Sequence, residues 1–148
     1  MFNENQHGFR SGRSCLSQLL EHYEEILNTL DKGQSYDVVY TDFAKAFDKC
    51  DHGLIAHKLK NLGITGKIGR WIYNFLVQRE QFVVQQVMPS QDSKVISSVP
   101  QGTVLAPLLF IIILSDIDED TSSKISTFAD DTKVSKSIST SNYIKVEI

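Results

Sequence analysis

Leu16, Leu19, Leu20, Tyr23, Leu27 and Leu30 recur at intervals of three and four, the spacing of one helical face. Ser14 stands where an N-cap would sit and Gly33 where a helix stops, so an amphipathic helix is predicted between them. From Tyr36 to Asp42 the chain is β-branched and aromatic around Val38 and Val39, which predicts a buried strand ending in an acid. Leu54 to Leu62 and Ile68 to Leu76 carry helical spacing and are separated by Gly63 and by the turn residues Thr65 and Gly66. Their basic residues should line the outer faces, and Trp71 should pack in the core. Gln81 to Val87 and Ser93 to Val99 predict a hairpin joined through Pro89-Ser90-Gln91-Asp92. The run from Val104 to Leu114 is apolar nearly all round and predicts a buried helix, with Pro107 tolerated only in its first turn. Lys124 to Phe128 and Thr132 to Ser137 then read as strands on either side of a tight turn at Ala129-Asp130-Asp131. There is no internal repeat, and a polar tail begins near Ser137.

With 148 residues and 41% apolar content, the chain can form one domain with a real core. Its longest apolar run falls well short of the roughly 20 residues that span a bilayer, so no membrane association is expected. The first residues lack the basic start and apolar stretch of a secretory signal, which implies an intracellular location. Two cysteines, Cys15 and Cys50, are too few for a disulfide framework or a zinc site, and no histidine has metal-ligand spacing. The net charge of −3 argues at first against a nucleic-acid partner, but it averages over two opposite regions. Lys45, Lys49, Lys58, Lys60, Lys67, Arg70 and Arg79 face only Asp48 and Asp51 in one stretch. In the other, Asp116, Asp118, Glu119, Asp120, Asp130 and Asp131 face only Lys124, which suits cations better than phosphates.

Asp130 and Asp131 are adjacent acids in a turn, and their repulsion would be relieved by a divalent cation, since Mg²⁺ takes one or two carboxylates plus waters and phosphates. Asp42, at the end of its own strand, can supply a third acid. Carboxylates around a pair of cations suit in-line phosphoryl transfer. Taken alone, an aspartate pair in a turn is an ordinary feature of turns. Asp116, Asp118 and Asp120 alternate as in a calcium loop, but Thr121 and Thr127 stand where such a loop has glycine and glutamate, so that alternative fails.

Asp42-Phe43-Ala44-Lys45-Ala46-Phe47-Asp48, then Ser98-Val99-Pro100-Gln101-Gly102-Thr103-Val104-Leu105-Ala106-Pro107-Leu108-Leu109-Phe110, then Phe128-Ala129-Asp130-Asp131 occur in that order. They resemble motifs A, B and C of reverse transcriptases in non-LTR retrotransposons of the jockey and CR1 type. Gln6-His7-Gly8-Phe9-Arg10-Ser11-Gly12-Arg13-Ser14 resembles that family's segment between fingers and palm. The resemblance implies that Asp42, Asp130 and Asp131 are catalytic acids binding metal, and that Phe43 offers its carbonyl to a metal. It implies that Phe47 is the aromatic gate beneath the incoming sugar, that Gln101 and Gly102 lie against nucleotide and template, and that Arg10 and Arg13 touch nucleic-acid phosphate. Read without the motif, Phe47 is an ordinary core aromatic and Pro100-Gln101-Gly102 an ordinary turn. Ser98 and Ala106 depart from the family, which usually has glycine at the first position and glycine or serine at the second.

The fold expected is α+β and polymerase palm-like: a small antiparallel sheet bearing Asp42 and the Asp130-Asp131 hairpin, with helices packed on one face. Residues 1–137 read as a partial reverse transcriptase domain and 138–148 as a polar tail. The function implied is RNA-directed DNA polymerase, with an RNA template, a DNA primer, deoxynucleoside triphosphates and a pair of Mg²⁺ ions, or Mn²⁺ in their place. The alternative is a catalytically inactive retrotransposon remnant that at most binds nucleic acid through its basic stretch.

Overall fold

The elements follow the predicted order, and their boundaries explain themselves locally. Helix α1 spans Cys15–Asp31 and strand β1 Ser35–Asp42; helices α2 and α3 span His52–Asn61 and Gly66–Val77. Four two-residue strands follow: β2 (Glu80–Gln81), β3 (Val84–Gln85), β4 (Met88–Pro89) and β5 (Ser93–Lys94). Helix α4 (Leu105–Ile113), β6 (Lys124–Phe128) and β7 (Asp131–Ile138) complete the elements among the described residues. The computed structural model describes residues 3–139, so most of the expected polar tail lies outside the described residues. Two compact units result, one of residues 45–115 and one joining residues 3–44 to the stretch from Asp116 onward.

In the first unit α2 packs on both α3 and α4. Asp51 caps α2 by accepting from the Leu54 amide at 2.7 Å, and Pro107 sits within the first turn of α4, where its missing N–H costs nothing. The core is Ile55, Leu59, Ile72, Leu76, Leu109 and Ile112. Two expectations are corrected. Lys58 does not line an outer face: it is buried, and its ammonium donates to the Ile113 carbonyl near the end of α4. The long aliphatic stem lets a lysine cover apolar surface while its head caps a helix. Trp71 is not core either; it is 59% exposed and stacks on Phe75, because Ile72 and Leu76 take the inward positions of α3.

The predicted hairpin also turns elsewhere. β2 pairs with β5, and nested inside them β3 pairs with β4 around Gln86 and Val87, both at positive φ. Pro89 and Ser90 had the composition of a turn, yet Pro89 lies in a strand and the Ser90 amide donates to the Val83 carbonyl at 2.7 Å. Tight hairpins demand left-handed residues, and here geometry overrode the turn signal.

The second unit is an antiparallel sheet in the order β1-β7-β6 with α1 against it. β1 is therefore an edge strand and largely exposed, not buried as expected. Ser14 caps α1 reciprocally with Ser17, and Gly33, at φ +65, closes it by donating to the Leu30 carbonyl. The face of α1 that meets the sheet is its polar stripe. Gln18 donates to Ser126 at 3.0 Å, His22 meets the Tyr40 hydroxyl at 3.2 Å, Tyr36 donates to Glu25 at 2.7 Å, and Thr29 shares a hydrogen bond with Ser137. Lys124 adds an ion pair to Glu25. Within this unit the leucine stripe has no cover.

Candidate functional site

The hairpin of β6 and β7 closes with Phe128 opposite Asp131, which leaves Ala129 and Asp130 as a two-residue loop. Ala129 takes φ +56, a left-handed conformation that two-residue hairpins commonly require and that costs alanine about 1–2 kcal/mol relative to its usual state. On the other side of β7, the antiparallel ladder with β1 ends by pairing Asp131 with Asp42. Directly opposed residues project from the same face of a sheet, with Cβ atoms roughly 5 Å apart. The chain thus brings two carboxylates together at one end of the sheet, with the third in the adjoining turn. It is Asp131, rather than Asp130, that stands across from Asp42.

Beside this pair lies a cavity of about 570 Å³ whose lining includes Asp42, Asp131, Tyr40, His22, Phe128 and Lys133. Lys133 follows Asp131 by two residues on the same face and is buried, and burial holds its ammonium below the ordinary lysine range. Among the described residues no three His, Cys, Asp or Glu side chains cluster closely enough to hold an ion by themselves. What converges is a carboxylate pair, which fits a cation that takes one or two protein carboxylates and fills its remaining positions with water and phosphate oxygen. The carbonyl of Phe43 follows directly on the Asp42 strand end.

Behind the turn sits a brace that sequence reasoning did not single out. Residues 5–7 run beside β6: the His7 amide donates to the Thr127 carbonyl at 2.8 Å and the Thr127 amide to the Asn5 carbonyl at 2.9 Å. The Gln6 side chain, 1% exposed, accepts from the Ala129 amide at 3.0 Å and from the Gly8 amide at 2.7 Å, and donates to the Ala129 carbonyl at 3.4 Å. A Cβ on Gly8 would come within 2.4 Å of the Ala129 nitrogen, so only glycine allows this approach. The signal for the brace was the Gln6-His7-Gly8 segment itself, whose role needed the fold to become visible.

Arg10 and Arg13 have partners inside the chain: Arg10 donates to the Asn3 carbonyl at 2.6 Å and Arg13 pairs with Glu21. Phe47, Gln101 and Gly102 belong to the first unit. Phe47 stacks on Phe110 with ring centroids 4.6 Å apart, and its carbonyl accepts from the Val99 amide at 3.0 Å. Gln101 donates to the Asp48 carboxylate at 3.3 Å, which ties the second motif to the first. Gly102 has open space around it but takes φ +82, so backbone conformation alone asks for glycine. Ser98 takes φ +101, where the side chain of an L-residue is strained, and is held by Arg79 and His52, which meet its carbonyl at 2.7 and 2.9 Å.

An antiparallel sheet that sets opposed aspartates at its end, beside a third in a tight turn, defines a protein with a candidate site for divalent-cation chemistry on phosphates. The family described as reverse transcriptase (RNA-dependent DNA polymerase) matches residues 1–142, and the chain belongs to it. The chain is similar to the probable RNA-directed DNA polymerase from transposon X-element of Drosophila melanogaster, with 32% identity over 133 residues, covering 86% of this chain and 14% of the relative. It is likewise similar to the enzyme of the same description from transposon BS of Drosophila melanogaster, at 29% identity over 77% of this chain and 12% of the relative. The RNA-directed DNA polymerase from mobile element jockey of Drosophila melanogaster is 30% identical over 90% of this chain and 16% of that protein. These matches bear out the resemblance to the reverse transcriptase domain of a non-LTR retrotransposon. The chain spans less than a fifth of the length of each of these relatives. No described helix is long and apolar enough to cross a membrane.

Proposed function

We propose that residues 1–137 form the palm-like, metal-binding portion of an RNA-directed DNA polymerase, followed by a polar tail at 138–148. The observation that carries this reading is the register of Asp42 opposite Asp131 beside the Asp130 turn, in a chain whose family match runs through all three residues. In the reaction, the primer 3′-oxygen forms a bond to the α-phosphorus of a deoxynucleoside triphosphate, the bond to the bridging β-phosphate oxygen breaks, and pyrophosphate leaves. Asp42, Asp130 and Asp131, with the Phe43 carbonyl, would hold the cations. A pair of Mg²⁺ ions, or Mn²⁺, would activate the attacking oxygen and stabilise the leaving group. Phe47 would lie beneath the incoming sugar, where the 2′-hydroxyl of a ribonucleotide is excluded. Gln101, already oriented by Asp48, and Gly102 would face nucleotide and template. A guanidinium has five donors, so Arg10 and Arg13 keep capacity for phosphate beyond their internal partners. Template RNA, primer DNA and deoxynucleotides place this chemistry inside the cell.

The test is primer extension on an RNA template by the purified chain with Mg²⁺ and deoxynucleotides, beside Asp130→Ala. Extension that is lost in the variant supports the reading. A folded chain that extends nothing, with or without Asp130, supports a second reading: an inactive remnant that binds nucleic acid through its basic stretch. The strained Ser98 favours that second reading, since the resemblance has glycine there. Lys45, Lys49, Lys60, Lys67 and Arg70 are exposed and available for it, whereas Lys58 is buried.

A further inference from the structure

We infer that Gln6 is a positioning residue for the acidic turn: it fixes the Ala129 peptide, and through it the directions in which Asp130 and Asp131 present their carboxylates. This rests on the reading of Asp42, Asp130 and Asp131 as cation ligands. The loop between β6 and β7 has only two residues, so the conformation of Ala129 sets where the chain leaves one strand and enters the next. An alanine at φ +56 does not hold that conformation by preference. The restraint comes from the buried amide of Gln6, which engages both polar groups of Ala129, accepting from its N–H at 3.0 Å and donating to its carbonyl at 3.4 Å.

Gln6 is itself held. Its oxygen also accepts from the Gly8 amide at 2.7 Å, and the segment around it is bonded to Thr127 on both sides. Gly8 lets the chain pass so close to Ala129 that no larger residue fits. A buried side chain whose oxygen and nitrogen are both engaged is held in one geometry, and losing it leaves two buried N–H groups unpaired. Such supports of a ligand-bearing backbone act on metal affinity even though they never touch the ion.

The test is Mn²⁺ binding by the whole chain, followed by electron paramagnetic resonance, with thermal melting by circular dichroism in parallel. Gln6→Leu should weaken Mn²⁺ about tenfold, read at a temperature where the variant is folded, and should lower the melting temperature as well because two buried N–H groups lose their acceptor. Gln6→Glu keeps an oxygen to accept from Ala129 and Gly8 but sets a buried carboxylate oxygen against the Ala129 carbonyl, so it should share the loss, as should Gly8→Ala. Asp42→Asn is the control for the ligand reading. If wild type binds no Mn²⁺, or Asp42→Asn binds it undiminished, the ligand reading and this inference both fall. If Asp42→Asn loses binding while Gln6→Leu and Gly8→Ala keep it, the inference alone is overturned. Should Gln6→Leu and Gly8→Ala both unfold, amide exchange in the wild type decides. Protection of the Ala129 amide supports the clamp, and exchange at the rate of an open chain removes it.

Discussion

Asp42 and Asp131 face each other as the last pair of the β1–β7 ladder, so two like charges share one face of the sheet at its end. Directly opposed like charges weaken a sheet, here by a few tenths of a kcal/mol because the site is open to solvent and salt. Asp131→Asn should therefore raise the melting temperature slightly in metal-free, low-salt buffer. Added Mg²⁺ or Mn²⁺ should stabilise the wild type more than the variant, which has lost one of its ligands, because a ligand bound to the folded state shifts its equilibrium by its affinity. Paired melts with and without metal check both signs.

Ser98 sits at φ +101, and its carbonyl and hydroxyl both accept from Arg79. Ser98→Gly relieves the backbone strain but gives up the weaker hydroxyl contact, for a net gain of about 1 kcal/mol. Ser98→Ala keeps the strain and loses the contact, so it should destabilise. Urea titrations of the two variants should move in opposite directions; movement in the same direction would refute this account of the position.

His7 and His22 are both buried, and burial is the first cause that holds each below its ordinary value of 6.5. For His22 the nearby Lys133 charge adds to that effect, while Glu25 opposes it. A histidine with a depressed folded value takes up its proton in the unfolded chain first. Its share of stability is complete above 6.5 and is lost as pH falls from 6.5 through the folded value. Denaturant midpoints should therefore drop between pH 7.5 and 5.5. A His22→Gln variant should show a shallower drop, whatever its stability at neutral pH.

The two thiols should separate cleanly. Cys50 is buried, its thiol lies 3.3 Å from the Ala46 carbonyl, and burial pushes it up to about 11. Cys15 is exposed. Since the thiolate is the reacting species, a maleimide at neutral pH should label Cys15 alone in the folded chain and both cysteines in denaturant. Mass spectrometry of the labelled protein reads the difference directly.

Element order and type were legible in the residues. The spacing of Leu16 to Leu30, the Ser14 cap, the Gly33 stop and the paired strands around Ala129-Asp130-Asp131 are local patterns, and local patterns are what propensity and capping govern. The three motifs, read in order, also marked the family. Tertiary structure decided the rest. It turned the polar stripe of α1, not its leucines, onto the sheet, because Tyr36, Tyr40, Lys124, Ser126 and Ser137 offer hydrogen-bond partners that only the pairing of distant strands assembles. It made β1 an edge and set Asp131 across from Asp42, since register follows from which strands meet. It also gave Gln6 its place behind Ala129, 123 residues away in sequence, a contact that no local pattern encodes.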